Sequence, residues 1–126
     1  MTVADEEFAR ELARLSARFV DQLPRQVQAL SDDLVAWLSM PRDAALLERL
    51  SHKVHQLKGA GSTFGCSSIS DSAKELEQRL DTLRSDATGG SGLAKDEVEA
   101  AMEALRGQAS QIYEESVRGD QAGTQT

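Results

Sequence analysis

Apolar residues return at three- and four-residue steps along almost the whole chain. Phe8, Leu12, Leu15, Phe19 and Leu23 step by four, three, four and four, which puts them on one face of a helix. Pro24 has no amide hydrogen and is expected to end or kink that helix. The same stripe then resumes as Val27, Leu30, Leu34 and Leu38. Met40-Pro41-Arg42-Asp43 reads as a turn, with Asp43 as the N-cap of another helix. That helix carries Leu47, Leu50, Val54, Leu57, Gly61 and Phe64 on its buried side. Ser67-Ser68 opens a further one, with Ile69, Ala73, Leu76, Leu80 and Leu83 inward. Ser85 to Gly92 is a flexible linker by composition. A last helix turns Val98, Met102, Leu105, Ala109 and Ile112 inward. Residues 117–126 show no pattern and are expected to form a disordered tail.

No segment alternates with period two, so no strand is expected. Short connections between amphipathic helices favour antiparallel neighbours. The expected fold is all-α: an antiparallel up-and-down bundle with a four-helix core, about five helices in total, formed by residues 1–116. Each helix is marginal alone, and burying the stripes against one another is what stabilises them. Because one chain can bury its own stripes, a monomer is expected.

Composition narrows the function. The chain has 126 residues, a net charge of −7 and 40% apolar content, enough for one core. Acidic and basic residues are intermixed, so no basic face is available for nucleic acid or an anionic membrane. Cys66 is the single cysteine, which excludes an internal disulfide and a cysteine-rich metal site. No run approaches the length of a membrane span, and the N-terminus is acidic at Asp5, Glu6 and Glu7 where a secretory signal would be basic. A cytoplasmic domain is the expectation.

Chemistry concentrates in His55-Gln56-Leu57-Lys58-Gly59-Ala60-Gly61-Ser62-Thr63-Phe64-Gly65. At 100° per residue, His55 points about 130° away from the centre of its helix's apolar stripe, toward solvent. Lys58 lies one turn on, where side chains meet on a helix surface and a compact cation can hold a phosphoryl oxygen. Gly59, directly along the helix from His55, costs about 1 kcal/mol relative to alanine. That cost is explained if a side chain there would block approach to the imidazole. Each residue also has an ordinary reading: a surface histidine, a solubilising lysine, a glycine that lets two helices pack closely. The last suits Gly61 better than the outward Gly59.

Taken together, the eleven residues resemble the signature of the histidine-containing phosphotransfer (HPt) domains of two-component phosphorelays. They are equally close to the phosphorylated domain of chemotaxis kinases, and the resemblance extends over the chain's length and helix pattern. It implies that His55 accepts a phosphoryl group on Nε2 from an aspartyl phosphate, with Lys58 and Gly59 in the roles above. The family commonly places Glu or Gln twenty-two residues after the histidine, here Glu77, on the flank of the next helix's stripe. A carboxylate on Nδ1–H would fix the tautomer and leave the Nε2 lone pair free; a plain solvated glutamate is the alternative.

The implied partners are response-regulator receiver domains and a hybrid sensor histidine kinase. Magnesium would come from the receiver, and this chain would need no cofactor. Glu48, Ser51, His52, Gly59 and Ser62 are expected to form an exposed docking strip around His55. A phosphoacceptor domain cut from a chemotaxis-type kinase, and an adaptor that binds receivers without carrying phosphate, are the competing readings. Other patterns carry less. Gly59 to Gly65 has Phe64 where a dinucleotide fingerprint needs its third glycine, and Gly89-Gly90-Ser91-Gly92 lacks the lysine of a phosphate loop. His52 and His55 have no third ligand in view for zinc. Arg118-Gly119-Asp120 is an accidental tripeptide, and Cys66 reads as a small packing residue.

Overall fold

The computed structural model describes residues 3–40, 43–85 and 92–124, all but a few of them helical. Four helices come in order: α1 (Val3–Ser39), α2 (Ala44–Thr63), α3 (Ser67–Ser85) and α4 (Gly92–Thr124). Each packs on its neighbours in sequence, and α4 returns to α1. Cross-helix contacts run antiparallel. Asp33 of α1 meets Lys53 of α2, and further down Phe19 meets Phe64; Glu48 and His55 of α2 meet Arg84 and Glu77 of α3. The result is an all-α, up-and-down four-helix bundle.

The stripes read from the sequence form the core. Leu23, Leu50, Val54, Ile69, Leu76, Leu80, Val98 and Leu105 are fully buried. Each such aliphatic side chain contributes about 1.5–3 kcal/mol of transfer free energy. Trp37 joins them, although it was not among the expected core residues.

Three expectations change. First, Pro24 does not divide the bundle: α1 is one helix of 37 residues with Pro24 inside it, so the described residues form four helices where about five were expected. Leu23 and Val27, on either side of it, are both buried in the same stripe. That tertiary burial outweighs a local penalty of about 3 kcal/mol. Second, the start of α1 is uncovered: Phe8 is 70% exposed, and Leu12 and Leu15 are also exposed. At 20 residues α2 is too short to cover them, and it ends beside Phe19, whose ring lies 5.3 Å from that of Phe64. Internal burial therefore does not extend to the first turns of α1. Third, α4 continues to Thr124, so the segment expected to be a tail is helical as far as the structure describes it; Val117 and Arg118 are exposed. The linker between Ser85 and Gly92, and Pro41-Arg42 in the first turn, lie outside the described residues.

Local chemistry sets the ends of α2. The Asp43 side chain accepts a hydrogen bond from the Leu46 amide at 3.1 Å, an N-cap. At the other end Gly65 takes φ +75°, while the Cys66 amide reaches back to the Gly61 carbonyl and the Gly65 amide to that of Ser62. This Schellman arrangement stops α2 and reverses the chain. The Cys66 carbonyl then accepts from the Ile69 and Ser70 amides and starts α3.

Gly61 lies inside this reversal. A Cβ there would sit 3.0 Å from the Ser70 amide nitrogen, 3.2 Å from the Cys66 carbonyl oxygen and 3.3 Å from Ile69 Cγ2. Two of the three are backbone atoms fixed by the turn. At Gly59 a Cβ would meet nothing within 4 Å. The two glycines therefore respond oppositely to alanine. Gly59→Ala is expected to stabilise the protein by about 1 kcal/mol through helix propensity. Gly61→Ala should destabilise it, because overpacking of about 1–3 kcal/mol exceeds the same propensity gain. Denaturant midpoints of the two variants check the pair, and equal shifts would contradict it.

Candidate functional site

His55 stands on the outward face of α2, its side chain 65% exposed. The reason is local: Val54 and Leu57 on either side of it belong to the buried stripe, which leaves position 55 to point outward. Its Nδ1 is 2.7 Å from Oε2 of Glu77 on α3. The other Glu77 oxygen, Oε1, accepts a hydrogen bond from Lys58 Nζ at 2.8 Å. Antiparallel packing of α2 on α3 makes this bridge possible, since positions 55 and 58 both fall opposite position 77. One carboxylate thus joins the imidazole and the ammonium.

The electrostatics are set by that bridge. The Glu77 carboxyl is held below the ordinary carboxylate range, chiefly by the hydrogen bond from Lys58. Partial burial works against this, and the His55 contact adds to the lowering. Glu77 is therefore an anion at neutral pH, able to accept a proton-bearing Nδ1. The two ring nitrogens are in 1,3 relation, so Nε2 points away from Glu77. Its lone pair is the free nucleophile of the site when the proton is on Nδ1.

A depressed carboxyl pKa stabilises the fold above the unfolded value, near 4.5, and that contribution disappears as pH falls through the folded value. Wild type is accordingly expected to be more stable than Glu77→Gln at neutral pH. The gap should close in acid, as read by denaturant midpoints across the acid range. A gap that widens in acid would contradict the sign.

The other expected positions divide. Glu48, His52, Gly59 and Ser62 are exposed along the same face as His55, and Glu48 pairs with Arg84 at 3.2 Å. Ser51 departs from the expected exposed strip: it is half-buried, and its hydroxyl oxygen is enclosed with no hydrogen-bond partner among the described residues. Position 51 faces α3 and not the open side of α2. Lys58 directs its ammonium to Glu77, and its three donor hydrogens leave it capacity for another acceptor.

On the flank of α2 away from α3, α1 and α2 leave a groove of about 580 Å³, and neither His55 nor Glu77 lines it. Leu15, Phe19, Leu57 and Phe64 supply apolar lining, and Lys53 and Gln56 belong to the α2 wall. Sequence reasoning did not find it. The signal available was the uncovered Phe8–Leu12–Leu15 stretch of α1, but the separation of the two helices is a tertiary property.

The site is thus an exposed helical histidine with a carboxylate on Nδ1, carried on an up-and-down four-helix bundle. Comparison with family profiles supplies the family: the profile described as Hpt domain matches residues 14–108. The chain belongs to the Hpt domain family, whose members perform histidine phosphotransfer in two-component phosphorelays. No curated protein and no solved structure matched the chain. Among the described residues, no helix is long and apolar enough to cross a membrane.

Proposed function

We propose that His55 of this Hpt domain carries a phosphoryl group between aspartates of receiver domains, as an intermediate between a hybrid sensor histidine kinase and a response regulator. The observation that supports this most is the exposed imidazole with Nδ1 tied to Glu77. The Nε2 lone pair attacks the phosphorus of an aspartyl phosphate in line. The P–O bond to the aspartate breaks, its electron pair leaves on the carboxylate, and the Nδ1 proton stays on the ring beside Glu77. Lys58 holds Glu77 and lends positive charge to the same patch. Magnesium and its carboxylate ligands belong to the receiver.

Gly59, one turn from His55, keeps that part of the face free of side-chain bulk, and a Cβ there would touch nothing in the protein. Glu48, His52 and Ser62 border the approach, and Ser51 sits at its margin toward α3. Contact of this kind is transient and modest in area. Incubation with a panel of phosphorylated receivers and magnesium tests the reading. At least one receiver should transfer its label to this chain within minutes, and no transfer from any of them would refute it.

A further inference from the structure

The first turns of α1 outrun the helix that covers the rest of its stripe. Phe19 meets Phe64 at the end of α2. Residues 3–18 therefore project past that end as about 24 Å of helix. Along the projection the core stripe continues as Phe8, Leu12 and Leu15, and all three are exposed, Phe8 by 70%. Where the stripe reaches the bundle it runs into the groove between α1 and α2, with its apolar lining of Leu15, Phe19, Leu57 and Phe64. The bare phenyl ring and the open apolar groove cannot cover each other within one chain. Phe8 and Phe19 are held about 16 Å apart by the helix they share.

The charges beside the stripe indicate what covers it. At 100° per residue, Glu7, Glu11, Arg14 and Arg18 fall along one flank, acids toward the N-terminus and arginines toward the bundle. All four are exposed. Glu11 and Arg14 pair with each other at 2.7 Å, an exposed pair of little worth. Glu7 and Arg18 have no ion pair among the described residues. An antiparallel helix that complements this flank must set arginines against Glu7 and Glu11, and acids against Arg14 and Arg18. The same segment turned end for end does so. We propose that a second copy of this chain covers the stripe. The two α1 projections pack antiparallel about a twofold axis between Leu12 and Leu15, and Phe8 of each copy enters the α1–α2 groove of the other.

Spacing sets the register. Phe8, Leu12, Leu15 and Phe19 step by four, three and four, the seam of a packed helix pair. Turned end for end, Leu12 lies against Leu15 of the second copy and Phe8 against Phe19 of the second copy, at the mouth of the groove. The twofold axis makes every contact twice. Parallel pairing would set acid against acid and arginine against arginine, which is costly. The contact is smaller than the roughly 800 Å² per partner of a standard interface, so the association is weak and reversible. It departs from the monomer expected from the sequence because α2 leaves the first turns of α1 bare. Neither His55 nor Glu77 lines the groove, and the inference stands whatever His55 carries.

Sedimentation velocity over a concentration series of the whole chain tests the proposal. Wild type should pass from monomer to dimer with a Kd on the order of 100 µM. Phe8→Ser should raise that Kd by about tenfold or more, with helicity and denaturant midpoint unchanged because the ring lies mostly in solvent. Two charge variants decide the orientation. Glu7→Arg with Glu11→Arg makes the flank wholly basic, and Arg14→Glu with Arg18→Glu makes it wholly acidic. Each alone should associate more weakly than wild type, and their equimolar mixture should recover the dimer. A wild-type chain still monomeric at about 1 mM, tenfold above the expected Kd, would overturn the proposal and leave the stripe to a different protein. Dimerisation unaffected by Phe8→Ser, or a mixture that associates no better than its components, would overturn it as well.

Discussion

A His55→Gln chain is expected to take up no phosphoryl group from any loaded receiver, while unfolding at nearly the wild-type denaturant midpoint. The first half comes from chemistry: an amide has no lone pair basic enough to attack phosphorus, and the remaining histidine, His52, has no carboxylate bonded to it among the described residues. The second half comes from position. The His55 side chain lies mostly in solvent, and a glutamine amide can still donate to Glu77. Surface substitutions of this kind change stability by about 0.5 kcal/mol or less. Radiolabel transfer, alongside a urea titration, reads both halves in the same preparation. Residual labelling near the wild-type level would place the acceptor elsewhere.

The second large effect is expected at Gly59. Gly59→Glu should leave the bundle folded yet slow transfer from a receiver by about a hundredfold. A side chain at position 59 enters open space, so nothing in the core is disturbed, and the helix gains by losing a glycine. The new carboxylate would stand one turn from the imidazole, where the phosphoryl group and the receiver's acidic site must come. Like charges brought together at an interface cost several kcal/mol, and each 1.4 kcal/mol or so is tenfold in rate. Gly59→Ala separates the causes, because it adds bulk without charge and should slow transfer far less. Wild-type rates in Gly59→Glu would show that the open space at position 59 is not on the approach path.

Much of the bundle was legible because its core is a set of unbroken stripes. Ile69, Ala73, Leu76, Leu80 and Leu83 are all buried as their spacing implies, and so are Leu47, Leu50, Val54 and Leu57. Even Trp37 was readable, three residues after Leu34 and seven after Leu30 on the same face. What escaped depends on lengths and depths that a single helix's pattern does not contain. Phe8, Leu12 and Leu15 continue the stripe of α1, yet α2 ends before reaching them. Pro24 is a local helix breaker, overridden by burial on both sides of it. Ser51 lies near the edge of the outward face, where a small rotation of α2 toward α3 decides between solvent and enclosure.

The candidate site divides along the same line. The outward direction of His55 and the open space at Gly59 come from one helix's geometry, and both hold in the structure. The contact of Glu77 with His55 needs two helices in a particular register, which the family spacing suggested and the 2.7 Å distance now shows. The grip of Lys58 on Glu77 is a three-body arrangement. Sequence pointed that lysine at the phosphoryl group, and the structure commits at least one of its hydrogens to holding the carboxylate.

Mapping the label itself tests the central claim most directly. After transfer from a phosphorylated receiver, peptide mass spectrometry under alkaline conditions, with nitrogen NMR of the loaded ring, should find a single acid-labile, alkali-stable phosphoryl group on Nε2 of His55. A label on His52, on Nδ1, or on an alkali-labile acyl oxygen would contradict the account.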